Sequence, residues 1–551
     1  VTGQHVNKHL FVEQASITTT GSPQSTAITV VLYLSEPTET SFVRLTAMLA
    51  SLIQPLQLPS PNKDAFGIET QSSRTRSMDK LLHDVESLFE TPLRPRSLHA
   101  MSEQLQAEFR TKLQASNICM LPSFHYALPT GSESGDFVAL DVGGSTFRIA
   151  LVHLGGEDSA RDGMDIKRMK SFVIDESIRD LKGKAFFDWM AAKIEEVLGS
   201  DNDVVVPLSM AMSWSFPIEQ TSTRTGYILT MGKGFCATHG VEGQDLYELL
   251  MDSCRRRGLQ VQLQAIINDS SATLLSQAYR DPSTRLSLIL GTGMNSAIYL
   301  PVSALAQEKY GSRPESWHAS AKDVLVNTEL SMFGRDVLPA SRWDQYLNAT
   351  HDLPDFQPLE YRVSGRYLGE LVRLILIEAI ETADLFGGMM PAKLQEPYSL
   401  DTGTIAVFES DQSSTLYTAA KAFTSTHPLP AGRMPSSRDL HFVKQVSRLV
   451  SGRAAALVAT AVHALWSLQR GLLASTNTIE TQLASQPREK ATVACNGTVM
   501  EKYPGFRSRC QDYLDELAVL SGQSRGAISI EMALESSVFG AAVAAASESE
   551  T

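Results

Sequence analysis

From Asp79 onward apolar residues recur at helical spacing, first at Leu81, Leu82, Val85, Leu88 and Phe89, then at Leu98, Met101, Leu105, Phe109 and Leu113. Each set lays one apolar stripe along a helix. The period then changes. Phe137-Val-Ala-Leu-Asp141 is a short apolar run broken by Gly143-Gly144 and followed by Phe147 to Leu154, which predicts two strands joined as a hairpin. Phe187, Met190, Ala191, Ile194, Val197 and Leu198 mark another helix, and Val204 to Met212 a buried strand. Leu286 to Leu290 and Ala297 to Leu300 flank the turn Gly291-Thr-Gly-Met-Asn295, a second hairpin. Long helical patterns follow at Tyr367 to Ala383 and Ser451 to Leu468. Strands interleaved with helices of this length indicate an α/β protein.

Residues 1 to 76 break this order. They are rich in Ser and Thr, carry Pro55, Pro59 and Pro61, and show no sustained period, so they are expected to form a largely unstructured extension. Within it, Arg44 to Leu58 is either a short amphipathic helix, suited to a regulatory partner, or a Pro-interrupted linker. The stretch from Asp401 to Arg438, rich in Ser, Thr and Pro, is expected to be a surface insertion. No internal sequence repeat is visible.

Composition narrows the class. The 551 residues are 43% hydrophobic and 7% aromatic, ordinary for globular domains and unlike collagen or coiled coil. A net charge of −13 argues against a nucleic-acid binder, which needs a basic face to neutralise phosphates. No uninterrupted apolar run reaches about 18 residues, so no transmembrane segment is expected. The five cysteines (Cys119, Cys236, Cys254, Cys495, Cys510) form no CxxC pair, which fits a reducing, cytoplasmic setting. The sequence begins at Val1, so a targeting signal is left open.

Several segments have the residue types that chemistry requires. In Asp141-Val-Gly-Gly-Ser-Thr-Phe-Arg148, Gly143 and Gly144 let backbone N–H groups approach a phosphate, and Asp141 can hold Mg²⁺ through water. A plain Gly-Gly hairpin with a capping Asp is the competing reading. The P-loop pattern is absent, and Gly291-Thr-Gly-Met-Asn-Ser is not GxGxxG because Ser296 stands at the last position. Gly291 and Thr292 still offer backbone donors and a hydroxyl to a phosphate. In Ile266-Ile267-Asn268-Asp269-Ser270 a strand ends as a helix begins. There Asp269 suits a general base, and helix capping is the alternative. Asn295, Glu329 and Glu360 are acceptors of the kind a polyol needs, though each alone also suits a solvated surface position.

Together and in this order, these segments resemble the hexokinase family, sugar kinases of the two-lobed actin-like ATPase (ribonuclease H-like) fold, in which each lobe is a mixed sheet with flanking helices. The resemblance runs from about Ser116 to Ala546. It rests on Pro129 to Gly144, Ser215-Phe-Pro-Ile-Glu-Gln-Thr221 with Lys233-Gly-Phe235, Asn268-Asp269, Gly291-Thr-Gly293, Ser364-Gly-Arg-Tyr-Leu-Gly-Glu-Leu371 and Tyr503-Pro-Gly-Phe506. It implies transfer of the γ-phosphoryl of MgATP to the 6-hydroxyl of a hexose or N-acetylhexosamine, with Asp269 as base. Ser215, Lys233, Asn268, Asn295, Glu329 and Glu360 match sugar-binding positions. Asp141, Gly143, Gly144, Ser145, Thr146 and Arg148 match a first phosphate segment, and Gly291 and Thr292 a second. Asn496, Gly497, Thr498 and Ser537 match further nucleotide-binding turns. Lys233 and Arg148 are also expected to act in the chemical step. The implied division is an extension over 1–76, N-terminal helices with a small lobe over 77–267, and a large lobe over 268–551 whose last helix returns to the small lobe.

The pattern departs from the family's at Thr146 (commonly Asn), Gly232 (usually Thr), Asn496 (usually Asp) and Glu535 to Gly540, where Val538 and Phe539 are expected to add bulk near the adenine. These departures resemble divergent fungal members, which include N-acetylglucosamine kinases and proposed regulators. A catalytically weak sugar-sensing regulator is therefore the alternative function.

Overall fold

The computed structural model describes residues 15–20, 27–32, 76–156, 163–199, 206–229, 231, 234–311, 313–476 and 490–549. The chain divides into two units, Val1–Thr70 and Gln71–Thr551. In the first, β1 (Ala15–Thr20) and β2 (Ala27–Leu32) pair antiparallel, where an unstructured extension was expected. The reason lies in composition, since ASITTT and AITVVL are dominated by β-branched residues that favour extended backbone. Arg44 to Leu58 lies outside the described residues.

The second unit is built on two sheets. In the first, β10 (Val261–Ile267), β7 (Leu208–Trp214), β4 (Ser134–Val142), β5 (Thr146–Gly155) and β6 (Met164–Val173) lie side by side in that order. In the second, the order is β16 (Ile528–Met532), β15 (Ala491–Asn496), β11 (Thr284–Leu290), β13 (Ala297–Pro301), β14 (Asp323–Asn327) and β3 (Leu121–Pro122), with β12 (Met294–Asn295) on β11. Both expected hairpins are present, β4 with β5 and β11 with β13. In each sheet the hairpin's first strand also pairs parallel with a later strand, β4 with β7 and β11 with β15, and that strand with a further one. The architecture therefore repeats although the sequence shows no repeat, because strand pairing depends on pattern and not on residue identity.

Helices cover both faces of the first sheet. α1 (Met78–Glu90) and α2 (Pro95–Ala115) come first in the chain. α3 (Lys184–Leu198) and α4 (Leu246–Arg256) bury Phe186, Phe187, Met190, Leu246 and Leu250 against its outer face. α5 (Asp269–Arg280) packs on the inner face with a C-terminal helix, Ser536–Ser549, whose Val538 and Ala541 to Ala546 share one core with Phe137, Ala139, Ala150, Ala211 and Ala265. The last helix thus returns to the first sheet.

The expected lobe boundary needs one correction. Leu93 before α2 and Leu98 within it pack with Ala456 and Leu517, and Leu121-Pro122 pairs with β14. The N-terminal helices belong with the second sheet, because their apolar stripe is covered by residues after 268.

The supposed insertion over 401–438 is also corrected. It contains α7 (Thr402–Ser410) and α8 (Tyr417–Thr426), which follow α6 (Gly365–Ala383) and bury Ile405, Phe408, Ala419 and Phe423. Its polar residues serve as caps: Asp401 accepts from Thr404 N at 2.8 Å, and Asp411 from Ser413 N at 2.9 Å and Ala419 N at 3.0 Å. α9 (Ser437–Thr476) is long and apolar enough to cross a membrane, but 94% of its most apolar window is buried in the protein. α10 (Phe506–Leu520) packs along it, and the C-terminal helix Ser536–Ser549 is α11.

Candidate active site

The β4–β5 hairpin sets Asp141 opposite Arg148 in register, as cross-strand pairing of opposite charges favours. Arg148 Nε and Nη2 donate to Asp141 Oδ2 at 2.9 and 2.5 Å, and Nη1 donates to Glu535 Oε2 at 2.8 Å. The connecting turn closes through Gly143 N, which donates to Thr146 O at 3.0 Å, and Arg179 Nη2 donates to Gly144 O at 3.1 Å. Burial pushes the Asp141 carboxyl above the usual range, and Arg148 opposes that shift.

This arrangement fits Mg²⁺ that arrives with a nucleotide. One oxygen of a buried carboxylate is occupied by Arg148, and the described residues contain no group of three His, Cys, Asp or Glu able to hold a metal. A single carboxylate acting through retained water is what Mg²⁺ commonly accepts.

A second element enters from β10. Its buried end, Ala265-Ile266-Ile267, delivers Asn268 and Asp269 to the start of α5. Asn268 Oδ1 accepts from Ser270 N at 2.9 Å and from Ser270 Oγ at 2.6 Å, so it caps the helix. Asp269 Oδ1 accepts from Ser270 N at 2.8 Å. Asn268 thus serves as the cap, while Asp269 lines the cavity described below. Ser215, just past β7, is tied to the first hairpin by its N–H to Val142 O at 3.2 Å.

The opposite wall comes from the second sheet. Gly365 N donates to Gly291 O at 2.8 Å, while Arg366 N at 3.1 Å and Ser364 Oγ at 2.8 Å donate to Thr292 O. Glu360 Oε2 accepts from Met294 N at 2.8 Å, and a Cβ on Gly293 would lie 2.9 Å from that oxygen, so a side chain there would press on the Glu360 carboxylate. Asn295 Nδ2 donates to Asn327 Oδ1 at 3.0 Å, and Asn327 Nδ2 to Glu329 Oε1 at 2.7 Å. Burial raises the Glu329 pKa, and nearby Asp269 adds to the rise. Gly497 has φ +111°, and a Cβ there would fall 2.3 Å from Leu290 O. Thr498 lies beside Gly291.

Between the walls is a cavity of about 490 Å³ lined by Asp141, Gly143, Ser145, Thr146, Arg148, Ser215, Asp269, Thr292 and Ser537. Every one of these residues was singled out from the sequence. Gly144, Asn268, Gly291, Asn295, Glu329, Glu360, Asn496, Gly497 and Thr498 are not among its lining residues; several hold the turns that form it. Gly232 and Lys233 lie outside the described residues.

One expectation is overturned. Val538 and Phe539 add no bulk to the cleft, because both lie on α11 and are buried in the core it shares with the first sheet, with Arg280 over the Phe539 ring. Asn496 has a local reason. Its Nδ2 donates to Ala533 O at 3.0 Å and to Ser536 Oγ, whereas a carboxylate there would set oxygen against carbonyl oxygen. Sequence reasoning missed two residues, Asn327 and Glu535. Asn327, two positions before Glu329 at a strand end, carried a usable signal, since an amide there can orient the carboxylate. Glu535 stood out only as the start of a stretch that departs from the family pattern; its pairing left no signal, because its partner Arg148 is 387 positions away.

Two related sheets, a glycine hairpin beside a carboxylate, and a second carboxylate at a helix start define an actin-like sugar kinase. Hexokinase family models match residues 82–279 and 285–547. The hexokinase of Schwanniomyces occidentalis is 30% identical over 408 residues, covering 73% of this chain and 79% of the relative. Hexokinase-1 of Saccharomyces cerevisiae is 29% identical over 440 residues, covering 79% and 84%. The Schistosoma mansoni hexokinase complexed with glucose superposes with a TM-score of 0.69 at 27% identity, covering 86% of this chain and all of that one. The chain belongs to the hexokinase family, whose members phosphorylate sugars with ATP and Mg²⁺.

Proposed function

We propose that this protein phosphorylates the 6-hydroxyl of a hexose or N-acetylhexosamine, with the sugar held between Ser215 and Asp269 on one wall and Asn295, Glu329 and Glu360 on the other. The observation that carries this reading is that Asp269 shares one cavity with the Gly143 to Thr146 turn, Arg148, Thr292 and Ser537. A base and a polyphosphate cradle therefore face the same space. Asp269 takes the hydroxyl proton as the sugar oxygen bonds to the γ-phosphorus and the bond to the bridging oxygen breaks, releasing ADP. Glu329 and Glu360 accept sugar hydroxyls and fix the ring, so the acceptor oxygen is held in line. Asp141 would hold Mg²⁺ through water, and the ion would supply positive charge to offset that of the phosphates. Arg148 and backbone N–H groups of the first hairpin meet the phosphates, and the family resemblance of the sequence gives Lys233 the same task.

The glucose in the related Schistosoma mansoni structure supports a hexose as ligand. The N-acetyl part of the reading rests on sequence alone, since Gly232 stands where the family usually has the larger Thr. The test is a panel of hexoses and N-acetylhexosamines in which ADP release and sugar binding are measured in parallel. Turnover of at least one sugar is expected. Glucose turnover with none of N-acetylglucosamine removes the N-acetyl reading, and sugar binding without ADP release throughout favours a sugar-sensing regulator. One observation keeps that second reading in view: Arg148 already has a carboxylate on both sides.

A further inference from the structure

Glu535 stands at the junction between β16 of the second sheet and α11, whereas Arg148 belongs to β5 of the first. Their ion pair, Nη1 to Oε2 at 2.8 Å, therefore ties β5 of the first sheet to the segment that leaves the second sheet. It is also fixed on both sides. Asn496 Nδ2 holds Ala533 O and Ser536 Oγ, and Ser536 Oγ in turn lies 2.9 Å from Thr273 Oγ1 on α5. The Glu535 carbonyl accepts from Val538 N at 3.1 Å and Phe539 N at 3.0 Å. Its backbone is left-handed, with φ +49°, a conformation that costs energy for a residue with a Cβ and persists only where neighbours impose it. The segment thus presents the carboxylate to the guanidinium. All three Arg148 nitrogens are engaged, Nε and Nη2 by Asp141 and Nη1 by Glu535.

We propose that Glu535 is an internal competitor for the phosphate site: its carboxylate occupies the Arg148 edge that a nucleotide polyphosphate must contact, and the nucleotide binds by displacing it. This rests on the reading of the cleft as a polyphosphate site. The charges favour displacement over coexistence. A polyphosphate set beside Glu535 faces a like charge, whereas Arg148 gains bidentate contact once the carboxylate swings out. The swing is feasible, because the Glu535 side chain is 39% exposed and that of Arg148 is 30% exposed. Glu535 acts through Arg148 and is a positioning residue that weakens nucleotide affinity in the resting protein.

The experiment measures by calorimetry the Kd of MgADP, of inorganic pyrophosphate and of glucose for the wild type, Glu535→Gln and Glu535→Ala. Both variants are expected to bind MgADP and pyrophosphate about two- to fivefold more tightly, the range of a partly exposed ion pair, with glucose affinity unchanged. A merely structural role gives no gain in binding. Unchanged or weaker binding of both phosphates overturns the proposal, as does a gain for MgADP alone, which would place the effect at the nucleoside. Failure of the kinase reading looks different: phosphate binding tightens in the variants while no protein releases ADP with any sugar.

Discussion

Glu329, proposed above as a sugar acceptor, sits where burial opposes its charge. Burial raises its pKa, with Asp269 adding to the effect, so the folded protein holds this proton at higher pH than the unfolded chain does. The burial penalty is therefore absent below the unfolded carboxyl pKa, where Glu329 is protonated in both states, and is felt in full once pH has risen through the folded pKa. Glu329→Gln removes the charge. At pH 8 the sugar-free variant is expected to melt about 1 to 3 °C higher than the wild type, while sugar affinity falls about 100-fold because an anionic acceptor is gone. Differential scanning calorimetry and titration calorimetry check the two halves, and a lower melting temperature would show that Glu329 is held by partners stronger than its burial penalty. The sequence made Glu329 a plausible acceptor. It did not show the Asn295–Asn327–Glu329 chain, because hydrogen bonds between residues 32 positions apart leave no local pattern.

At the scale of elements, α5 and α11 matter most, since one begins at Asp269 and the other at Ser536 and Ser537. They cross so closely that a Cβ on Gly540 would lie 1.9 Å from Ala272 O. Gly540→Ala must therefore separate the helices or bend one, at a cost of about 3 kcal/mol, and both helix starts shift with it. The variant is expected to lose sugar-dependent ADP release and to unfold at lower urea, and urea titration with the coupled assay checks this. Neither helix's role could be read from its amphipathicity, because α11 is an alanine-rich segment without a polar face. The two hairpins were legible for the opposite reason, as Gly143-Gly144 and Gly291-Thr-Gly293 interrupt apolar strands with residues that turn. The Asp401 to Arg438 stretch misled because its Ser, Thr and Asp residues act as helix caps, and capping residues share their composition with loops.

For the whole molecule, two buried histidines contribute to acid sensitivity. His125 and His463 both titrate at about 4, lowered first by burial, then by Arg313 for His125 and by His99 and Arg470 for His463. The unfolded chain takes up these protons near pH 6.5, so their contribution is complete above that value and is lost as pH falls from about 6.5 towards 4. Each group is expected to remove up to about 1.4 kcal/mol per pH unit, and His463→Gln should flatten the pH dependence of urea unfolding by roughly that slope. The two-sheet architecture was legible from interleaved strands and helices, together with the resemblance of ordered motifs to the hexokinases. The placement of α1 and α2 with the second sheet was not, since it depends on contacts such as Leu98 with Ala456 and Leu517. The central claim is that Asp269 serves as base for phosphoryl transfer to a sugar 6-hydroxyl. The direct measurement incubates ¹³C-labelled glucose with MgATP and follows the C6 resonance by NMR, for the wild type and for Asp269→Asn. Wild-type protein should convert the sugar to its 6-phosphate, with Asp269→Asn slower by about 10³-fold and glucose affinity retained; equal rates for the two proteins would contradict the account.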